Sequence, residues 1–381
     1  MQEFEGSSKG TWLQKVEEDL KGKSLESLNW TVTDELAISP FAHPDDIDEK
    51  LLPIGVKGNN NWRIGQEFEV YPDNVEDQNV ALLDALNNGI EAPKIKIKEV
   101  LSVVQLERLF KDVSISYVAV YFSGLTSRAA WTGLLKNYAL NTHKGDILSD
   151  KFFGGFHMDM NWAEQTESDF EEMAAFEKYF SSLFPRYRCF YVDGTKFYKG
   201  NSGVIEELAQ LTFAVSKCYD GMLAQGYTPL QISKKFQIGF SIGHSYLLEI
   251  AKIRAIKVLM ANICEALHPG HKEIPCFDCY VSPASYQADS KESNHIRGTI
   301  SAMAGVIGAV GRLTIPPFDV QEAQQSNAFQ TRMATNVQQV IKLETKLNAT
   351  SDPAAGSYYI EQLTNDLARK AWSRFIELTE H

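Results

Sequence analysis

The chain has 381 residues, a formal net charge of −12, 44% hydrophobic residues and 23% charged residues, a balance typical of a soluble globular protein. This length allows either one large α/β barrel or two smaller domains. The acidic balance argues against nucleic-acid binding through a basic face, and no apolar run reaches the roughly 20 residues that cross a bilayer.

The N-terminal sequence and the cysteine count indicate where the protein works. The segment Met1 to Leu20 has no basic stretch followed by an apolar one, so we expect no secretory signal. Five cysteines in a chain of this length do not form a disulfide framework. The sequence therefore predicts a reducing cytoplasmic location, with no membrane and no nucleic acid as partner.

Residues 1–60 are predicted to form an N-terminal arm. Apolar residues from Trp12 to Leu20 recur at helical spacing and predict one short amphipathic helix, which Gly22 is placed to end. The stretch from Leu25 to Pro53 is rich in Pro, Asp and Ser and has no sustained period. Because the arm carries several large aromatic residues, we expect it to pack against its own body or against a partner subunit.

Residues 61–348 repeat one pattern, in which a β-branched or aromatic run is followed by a polar turn and a helical stretch. This alternation predicts βαβ units and a parallel sheet. The repeat matches an α/β fold of the (β/α)8 TIM barrel type better than the alternative, a doubly wound sheet with two domains. The predicted strands are Ile64–Val70, Ile95–Lys98, Ile115–Phe122, Phe152–Met158, Tyr187–Val192, Phe236–Phe240, Phe277–Val281 and Leu313–Ile315. Helical patterns lie near residues 75–88, 102–111, 126–141, 168–183, 203–225, 243–267, 291–309 and 325–347.

Residues 349–381 are predicted to form a C-terminal helical extension. Asp352 and Pro353 interrupt the preceding helix, because proline disfavours a helical residue before it and lacks a backbone N–H. A turn of small residues follows. Apolar side chains then recur at helical spacing at Ile360, Leu363, Leu367, Ala371 and Phe375.

Four residues have the types and close spacing of a zinc site: His268, His271, Cys276 and Cys279. Two imidazoles and two thiolates can close a tetrahedron around the ion. The alternative is a pair of loop histidines beside two half-buried cysteines, because Cys279 lies in or next to the seventh predicted strand.

Two further patterns involve charged or titratable side chains on predicted strands. His157 and Asp159 are placed to form an acid–base pair at the C-terminal mouth of the fourth strand, although histidine near aspartate is common by chance. Lys94, Lys96 and Lys98 alternate with isoleucines, as expected for an edge or surface-facing strand. Such an alternation is unusual for an internal strand of a barrel.

Several segments resemble the methylmalonyl-CoA mutase family. FQIGFSIGHSYLLEIAKIRAIKVLMANI, residues 236–263, resembles the family's sixth strand and helix with its EIAK-x-RA core. RMATNVQQVIKLET, from residue 332, resembles the R-x-ARNTQ helix, and DPAAGSYYIEQLTNDLARKAW, residues 352–372, matches the DP-x-x-GSYY-x-E-x-LT segment. WLQKVEEDLKGKSLESLNW is similar to the family's opening. The likeness covers nearly the whole chain and is thinnest between residues 60 and 190.

The resemblance implies a TIM barrel that carries an acyl-CoA ester along its axis, with a separate cobalamin-binding domain. Two departures from the catalytic pattern stand out. No histidine occurs in the family's Asp-x-His-x-x-Gly pattern, and because little sequence follows Trp372 the cobalamin-binding domain is expected to be absent. Thr195 and Lys196 occupy the positions of the catalytic Tyr-His pair. The IPPFD at Ile315–Asp319 resembles the version found in the family's small subunits.

The resemblance therefore implies a small (beta), non-catalytic subunit that binds no cofactor itself. Its partner would be a catalytic large subunit holding adenosylcobalamin, and the heterodimer would interconvert methylmalonyl-CoA and succinyl-CoA. Two alternatives remain. One is a stand-alone barrel enzyme that binds an acyl-CoA, with His157 and Asp159 or Lys196 at the mouth. The other is a zinc-binding protein.

Overall fold

The computed structural model describes residues 8–46, 60–125, 127–142, 152–158, 164–270, 273–288, 290–320 and 328–380. The described part of the arm begins with α1 (Lys9–Leu20), which buries none of its residues. As the sequence predicts, the helix ends before Gly22, which has φ of 91°. An antiparallel hairpin follows, formed by β1 (Trp30–Thr33) and β2 (Leu36–Ile38).

The hairpin packs on the chain's own body. Val32, Leu36 and Ile38 are buried and belong to the main hydrophobic core. The ring of Trp12 stacks on that of Phe41 at a centroid separation of 3.7 Å, which ties α1 to the segment that follows the hairpin. The aromatic residues of the arm are therefore used partly within the chain itself.

The body is a closed barrel of parallel strands. Its strand segments are β3 (Arg63–Val70), β4 (Ala92–Ile97), β5 (Ala119–Ser123), β6 (Phe153–His157), β7 (Arg186–Arg188), β8 (Phe190–Asp193), β9 (Phe236–Ile242), β10 (Cys276–Val281) and β11 (Arg312–Thr314). Their order in the sheet is β7-β6-β5-β4-β3-β11-β10-β9-β8. Because β7 and β8 are separated only by Cys189, they are two halves of one strand that closes the ring. All eight predicted strands are confirmed, and the alternative of a doubly wound sheet is wrong.

Helices surround the barrel. They are α2 (Val75–Asn87), α3 (Val103–Leu109), α4 (Arg128–Thr142), α5 (Glu167–Leu183), α6 (Val204–Ala224), α7 (Pro229–Lys235), α8 (Tyr246–Leu267), α9 (Lys291–Ile307), α10 (Ala328–Leu343) and α11 (Tyr358–Thr379). The sequence patterns predict every helix in this list except α7. This short helix begins at a capping box in which Thr228 and Gln231 bond each other's backbone N–H, with Pro229 at its first position.

The last helix, α11, packs along α6 and α8. Its apolar face includes Leu363, Leu367 and Ala371, all of which are buried, as their helical spacing predicts. Since α8 lies between the barrel and α11, it is buried on almost every side. This position explains why apolar residues occupy so wide an arc of α8.

Candidate functional site

Lys94 and Lys96 of β4 face the barrel axis, and Lys98 follows directly after the strand. Because β4 pairs with β3 on one side and β5 on the other, it is an internal strand. Lys94 Nζ lies 3.2 Å from Glu67 Oε2, and Lys96 Nζ lies 3.3 Å from Glu67 Oε1 and 3.0 Å from Glu69 Oε1. Lys98 Nζ lies 2.9 Å from Glu69 Oε1. The interpretation of a surface-facing strand is wrong, because carboxylates on the neighbouring strand neutralise the lysines inside the ring.

The same pairing sets the protonation of these groups. Burial opposes the charged form of Lys96, but the charges of Glu67 and Glu69 outweigh it and raise the pKa of the lysine above its ordinary value. Burial likewise tends to raise the pKa of Glu67, yet the lysines hold it below its ordinary value. Both shifts favour the charged forms of Lys96 and Glu67 near neutral pH.

A second polar layer crosses the axis around Arg312, whose side chain is 1% exposed. Its Nη1 donates to Asp278 Oδ1 at 2.8 Å and to the Tyr280 hydroxyl at 3.2 Å, and its Nε donates to the Ala92 carbonyl at 3.0 Å. The Tyr280 hydroxyl donates to Asp278 Oδ2 at 2.7 Å. Lys94 Nζ lies 3.1 Å from the same hydroxyl, so the two layers are continuous. A buried arginine and aspartate are thus paired as well as hydrogen-bonded.

His157 lies at the C-terminal end of β6, inside the barrel. Its ring stacks on Tyr191 with centroids 4.0 Å apart and planes 7° apart. Its Nε2 is 3.5 Å from Gln237 Oε1, and its Nδ1 is 3.4 Å from the Tyr280 hydroxyl. Burial, and then the axial lysine and arginine described above, lower the pKa of His157 well below its ordinary value. The imidazole is therefore neutral, and both of its nitrogens have polar neighbours.

Inward-facing glycines make room for these large side chains. A Cβ on Gly155 would collide with the amide nitrogen of Gln237, and a Cβ on Gly239 would collide with the hydroxyl of Tyr191. Gln237 and Tyr191 therefore reach across the axis only because their neighbours carry no side chain. Below its mouth the barrel is filled by its own residues.

A cavity of about 520 Å³ remains at the C-terminal mouth. This is the end at which enzymes with this fold build their active sites. The cavity is lined by Glu67, Lys94, Lys96, Ser123, Gly124, Leu125, His157, Tyr191, Asp193, Thr195, Ser241, Tyr280, Ser282 and Pro283. Most of the lining residues carry polar side chains, and Tyr191 and Tyr280 contribute aromatic rings.

The structure brings together some of the residues singled out from the sequence. His157 and Thr195 both line the cavity. Asp193 holds Thr195 in place. Its Oδ1 accepts hydrogen bonds from the backbone N–H of Thr195 at 3.0 Å and from the Thr195 hydroxyl at 2.6 Å. Lys196 is exposed and does not line the cavity. Asp159 lies outside the described residues, so the proposed acid–base pair has one described member.

The zinc hypothesis finds no support. Cys276 and Cys279 are three residues apart on β10, so their side chains point to opposite faces of the strand. Cys279 faces α9, and burial raises the pKa of its thiol well above the ordinary value. His268 is exposed and His271 lies outside the described residues. Among the residues that the structure describes, no group of three or more His, Cys, Asp or Glu side chains is placed to hold a metal ion.

A buried ion cluster lies behind β9 and involves the EIAK segment. Lys252 Nζ is 2.8 Å from Glu249 Oε2 and 3.2 Å from Glu207 Oε1, and it donates to the Ser241 carbonyl at 2.8 Å. A simple surface pair of Glu249 and Lys252 would stabilise a helix by a few tenths of a kcal/mol. Here the two side chains do pair, but both are buried against α6 and belong to a larger cluster.

The buried carboxyl of Glu207 has a raised pKa in this cluster. Burial raises the pKa of Glu207 to about 7, the charge of Glu249 adds to the effect, and Lys252 opposes it. Lys252 therefore faces two carboxyl groups, and burial raises the pKa of one of them, Glu207, towards neutrality.

Sequence reasoning missed several members of the axial network. Asp278, Tyr280 and Arg312 were not singled out, although they stand at alternate positions of buried strands. In a closed parallel barrel one face of every strand points to the axis and the other to the helices. Polar residues at alternate positions of such a strand are therefore a signal for axial side chains.

These features define a (β/α)8 barrel of the TIM type with a polar, side-chain-filled axis and a small cavity at its mouth. The family model described as "Methylmalonyl-CoA mutase" matches residues 96–381, three quarters of the sequence. The chain belongs to the methylmalonyl-CoA mutase family.

Curated relatives carry names from the same family. The methylmalonyl-CoA mutase small subunit of Porphyromonas gingivalis is 28% identical over 99% of this chain and 64% of its own length. The small subunit of Propionibacterium freudenreichii subsp. shermanii is 23% identical over 93% of this chain and 57% of its own length. The methylmalonyl-CoA mutase of Rhizobium meliloti is 26% identical over 73% of this chain and 40% of its own length. This chain thus spans less than two thirds of these relatives.

A solved structure of Plasmodium falciparum HPPK-DHPS with SDX-DHP has a TM-score of 0.43 and 11% identity over 89% of this chain and 54% of that chain, too weak a likeness to carry an argument. Within the described residues no helix has both the length and the apolar character needed to cross a membrane.

Proposed function

We propose that this chain is the barrel of a small, non-catalytic subunit of a methylmalonyl-CoA mutase. In this proposal a catalytic large subunit holds adenosylcobalamin and interconverts methylmalonyl-CoA and succinyl-CoA. The observation that supports it most strongly is the filled axis. Where the family resemblance implies an acyl-CoA lying along the barrel, Arg312, Asp278 and Tyr280 cross the interior and bond one another.

The described residues do not fit adenosylcobalamin either. A mouth cavity of about 520 Å³ is smaller than a corrin ring with its nucleotide and adenosyl groups. The histidine at the mouth, His157, is 4% exposed and both its ring nitrogens already have polar neighbours, so it offers no free ligand to cobalt. For this reason no step of the rearrangement is assigned to this chain.

The decisive experiment is reconstitution with the catalytic large subunit from the same organism. We expect co-expressed chains to purify as a stoichiometric complex that converts methylmalonyl-CoA when adenosylcobalamin is added. This chain alone is expected to give no turnover and no change in the visible spectrum of the cofactor. Turnover or a shifted cobalamin spectrum with this chain alone would contradict the proposal and favour a stand-alone enzyme.

The N-terminal arm, residues 1–60, is proposed to supply part of the subunit contact. Leu28 and Trp30 remain exposed, at 45% and 41%, although Trp30 begins the hairpin whose other residues pack on the body of the chain. Trp30→Ser is expected to weaken the complex by at least tenfold, because buried aromatic anchors dominate most interfaces. Val80→Ser removes an exposed apolar residue from α2, outside the arm, and serves as the control. Equal affinities of both variants would show that the arm does not contribute.

A further inference from the structure

Three hydrogen-bonding groups converge on one wall of the mouth cavity. Asp193 on β8 is paired in register with Gly239 on β9, and Ser241 lies two residues further along β9 on the same face. A Cβ on Gly239 would collide with the hydroxyl of Tyr191, which places that hydroxyl over the glycine, next to Asp193 and Ser241. All three side chains line the cavity.

These three groups are not fully used by the protein itself. Asp193 Oδ1 accepts from Thr195, whereas Oδ2 takes part in no hydrogen bond or ion pair among the described residues. The hydroxyls of Tyr191 and Ser241 bond no described residue either, and neither is fully enclosed by protein, unlike that of Ser123. Polar groups that face a cavity and bond nothing in the protein are available to a ligand that displaces water.

The other charged groups of the lining already pair with one another. Lys94 Nζ lies 3.2 Å from Glu67 Oε2, and Lys96 Nζ lies 3.3 Å from Glu67 Oε1. Together with Asp193, the lining holds two lysines and two carboxylates. A charged ligand would leave a net charge in a site that is half enclosed by protein, which is unfavourable at low dielectric. An uncharged ligand leaves the balance unchanged.

The hydrogen-bonding pattern of the wall matches ligand hydroxyls. The carboxylate oxygen of Asp193 only accepts, whereas the hydroxyls of Tyr191 and Ser241 can each donate and accept. A hydroxyl group also donates and accepts, so a ligand with several hydroxyls on neighbouring carbons can bond all three without bringing a charge. The cavity of about 520 Å³ lies within the usual size range of small-molecule sites.

We propose that the mouth cavity binds a small uncharged polyol of the sugar-alcohol or monosaccharide class. One ligand hydroxyl donates to Asp193 Oδ2, and its neighbours along the carbon chain bond the hydroxyls of Tyr191 and Ser241. The site goes beyond the proposed mutase role, because it recognises no coenzyme A group and its residues carry no step of that reaction.

Isothermal titration of the full chain with xylitol and with D-ribose tests this site. No titration involves the large subunit, so a failure here leaves the proposed function untouched. Cyclopentanol, which has a single hydroxyl, and butylamine, which is a cation, are the matched ligands. We expect at least one polyol to bind with a dissociation constant of about 10 mM or below, and both matched ligands to bind at least about fivefold more weakly. Weaker binding than this by both polyols, or equal binding of either matched ligand, would overturn the proposal.

Three variants assign the contacts. Ser241→Ala and Tyr191→Phe each remove one hydroxyl, and each is expected to lower polyol affinity about fivefold, the loss of roughly one hydrogen bond. Asp193→Asn keeps an oxygen for Thr195 but removes the charge, and is expected to lower the affinity at least about fivefold. Ser123→Ala is the matched control, because its hydroxyl is fully buried, and it is expected to bind normally. Equal losses in the Ser241 and Ser123 variants would show that the effect is not local and would overturn the assignment.

Discussion

Arg254 Nη2 lies 2.6 Å from Glu361 Oε1. The same guanidinium pairs through Nη1 with Asp352, and Glu361 also accepts from the backbone N–H of Gly356 at 3.0 Å. Arg254 belongs to the EIAK-x-RA segment of α8, whereas Asp352 and Glu361 belong to the DP-x-x-GSYY-x-E segment before and within α11. Two motifs that are recognised separately in the sequence are therefore the two halves of one ion cluster, which fixes the last helix to the barrel.

Removing this arginine is expected to destabilise the protein strongly. Arg254→Met leaves two carboxylates that are mostly buried, at 13% and 16% side-chain exposure, without their cation. We expect a loss of about 3–5 kcal/mol in the free energy of unfolding, measured by urea denaturation. Arg374→Ala is the control, because its pair with Glu206 is exposed to solvent and such pairs contribute little to stability. Similar losses in both variants would contradict the account.

The buried carboxyl of Glu207 makes stability depend on pH. Burial raises the pKa of Glu207 to about 7 in the folded protein, whereas the unfolded chain has the ordinary value of 4.5. Between these two pH values the folded chain therefore holds more protons than the unfolded chain. Stability from this group is therefore present below pH 4.5 and is lost as pH rises through 7, by roughly 3 kcal/mol in total.

The test compares wild type with Glu207→Gln at pH 5 and pH 8 by urea denaturation. The wild type is expected to lose stability between pH 5 and pH 8, and Glu207→Gln is expected not to show this loss. Relative to wild type, the unfolding free energy of the variant is therefore higher at pH 8 than at pH 5. Glu206→Gln, next to it but partly exposed, is expected to leave the pH dependence above pH 5 unchanged, since the pKa of Glu206 is lowered. Parallel curves for wild type and Glu207→Gln would contradict the prediction.

The axial pair of Arg312 and Asp278 is expected to show strong coupling. Arg312→Met leaves a buried, uncompensated aspartate and should cost about 3–5 kcal/mol. Combining it with Asp278→Asn removes that charge, so the double variant is expected to be more stable than Arg312→Met alone. Guanidinium denaturation of the two single variants and the double variant gives the coupling energy. Additive losses would show that the two side chains do not interact.

Substitution of an inward glycine tests how tightly the axis is filled. Gly155→Ala places a methyl group against the amide of Gln237, and overpacking of this kind costs about 1–3 kcal/mol. Adding Gln237→Ala is expected to restore part of the loss. Gly133→Ala is the control: it lies in α4, where a Cβ meets no atom within 4 Å, and replacing a helical glycine should gain up to about 1 kcal/mol. Thermal unfolding of the three variants measures these differences.

The barrel itself could be predicted from the sequence, but the contents of its axis could not. Strands such as Phe236–Ile242 can be recognised in the sequence because their apolar runs and flanking turns are local signals. The alternating lysines of β4 could also be recognised in the sequence. That they face the axis could not, because it depends on their ion pairs with Glu67 and Glu69 on the preceding strand. No periodicity in one segment reports which residues stand opposite on the next.

The ion cluster of α8 illustrates the same limit at longer range. Arg254 is 98 residues from Asp352 and 107 from Glu361 along the chain. The sequence shows that each motif is special, but only the packing of α11 on α8 shows that they meet. Residues with partners so distant are found by geometry alone.

The break at Cys189 has a consequence for how the wall of the barrel is held together. β7 forms its ladder with β6, and β8 forms its ladder with β9. The two edges of the hydrogen-bonded sheet are therefore β7 and β8, which follow each other in the chain. At this position the barrel is closed by the covalent backbone and by side-chain packing. Between the other neighbouring strands it is closed by a ladder of backbone hydrogen bonds.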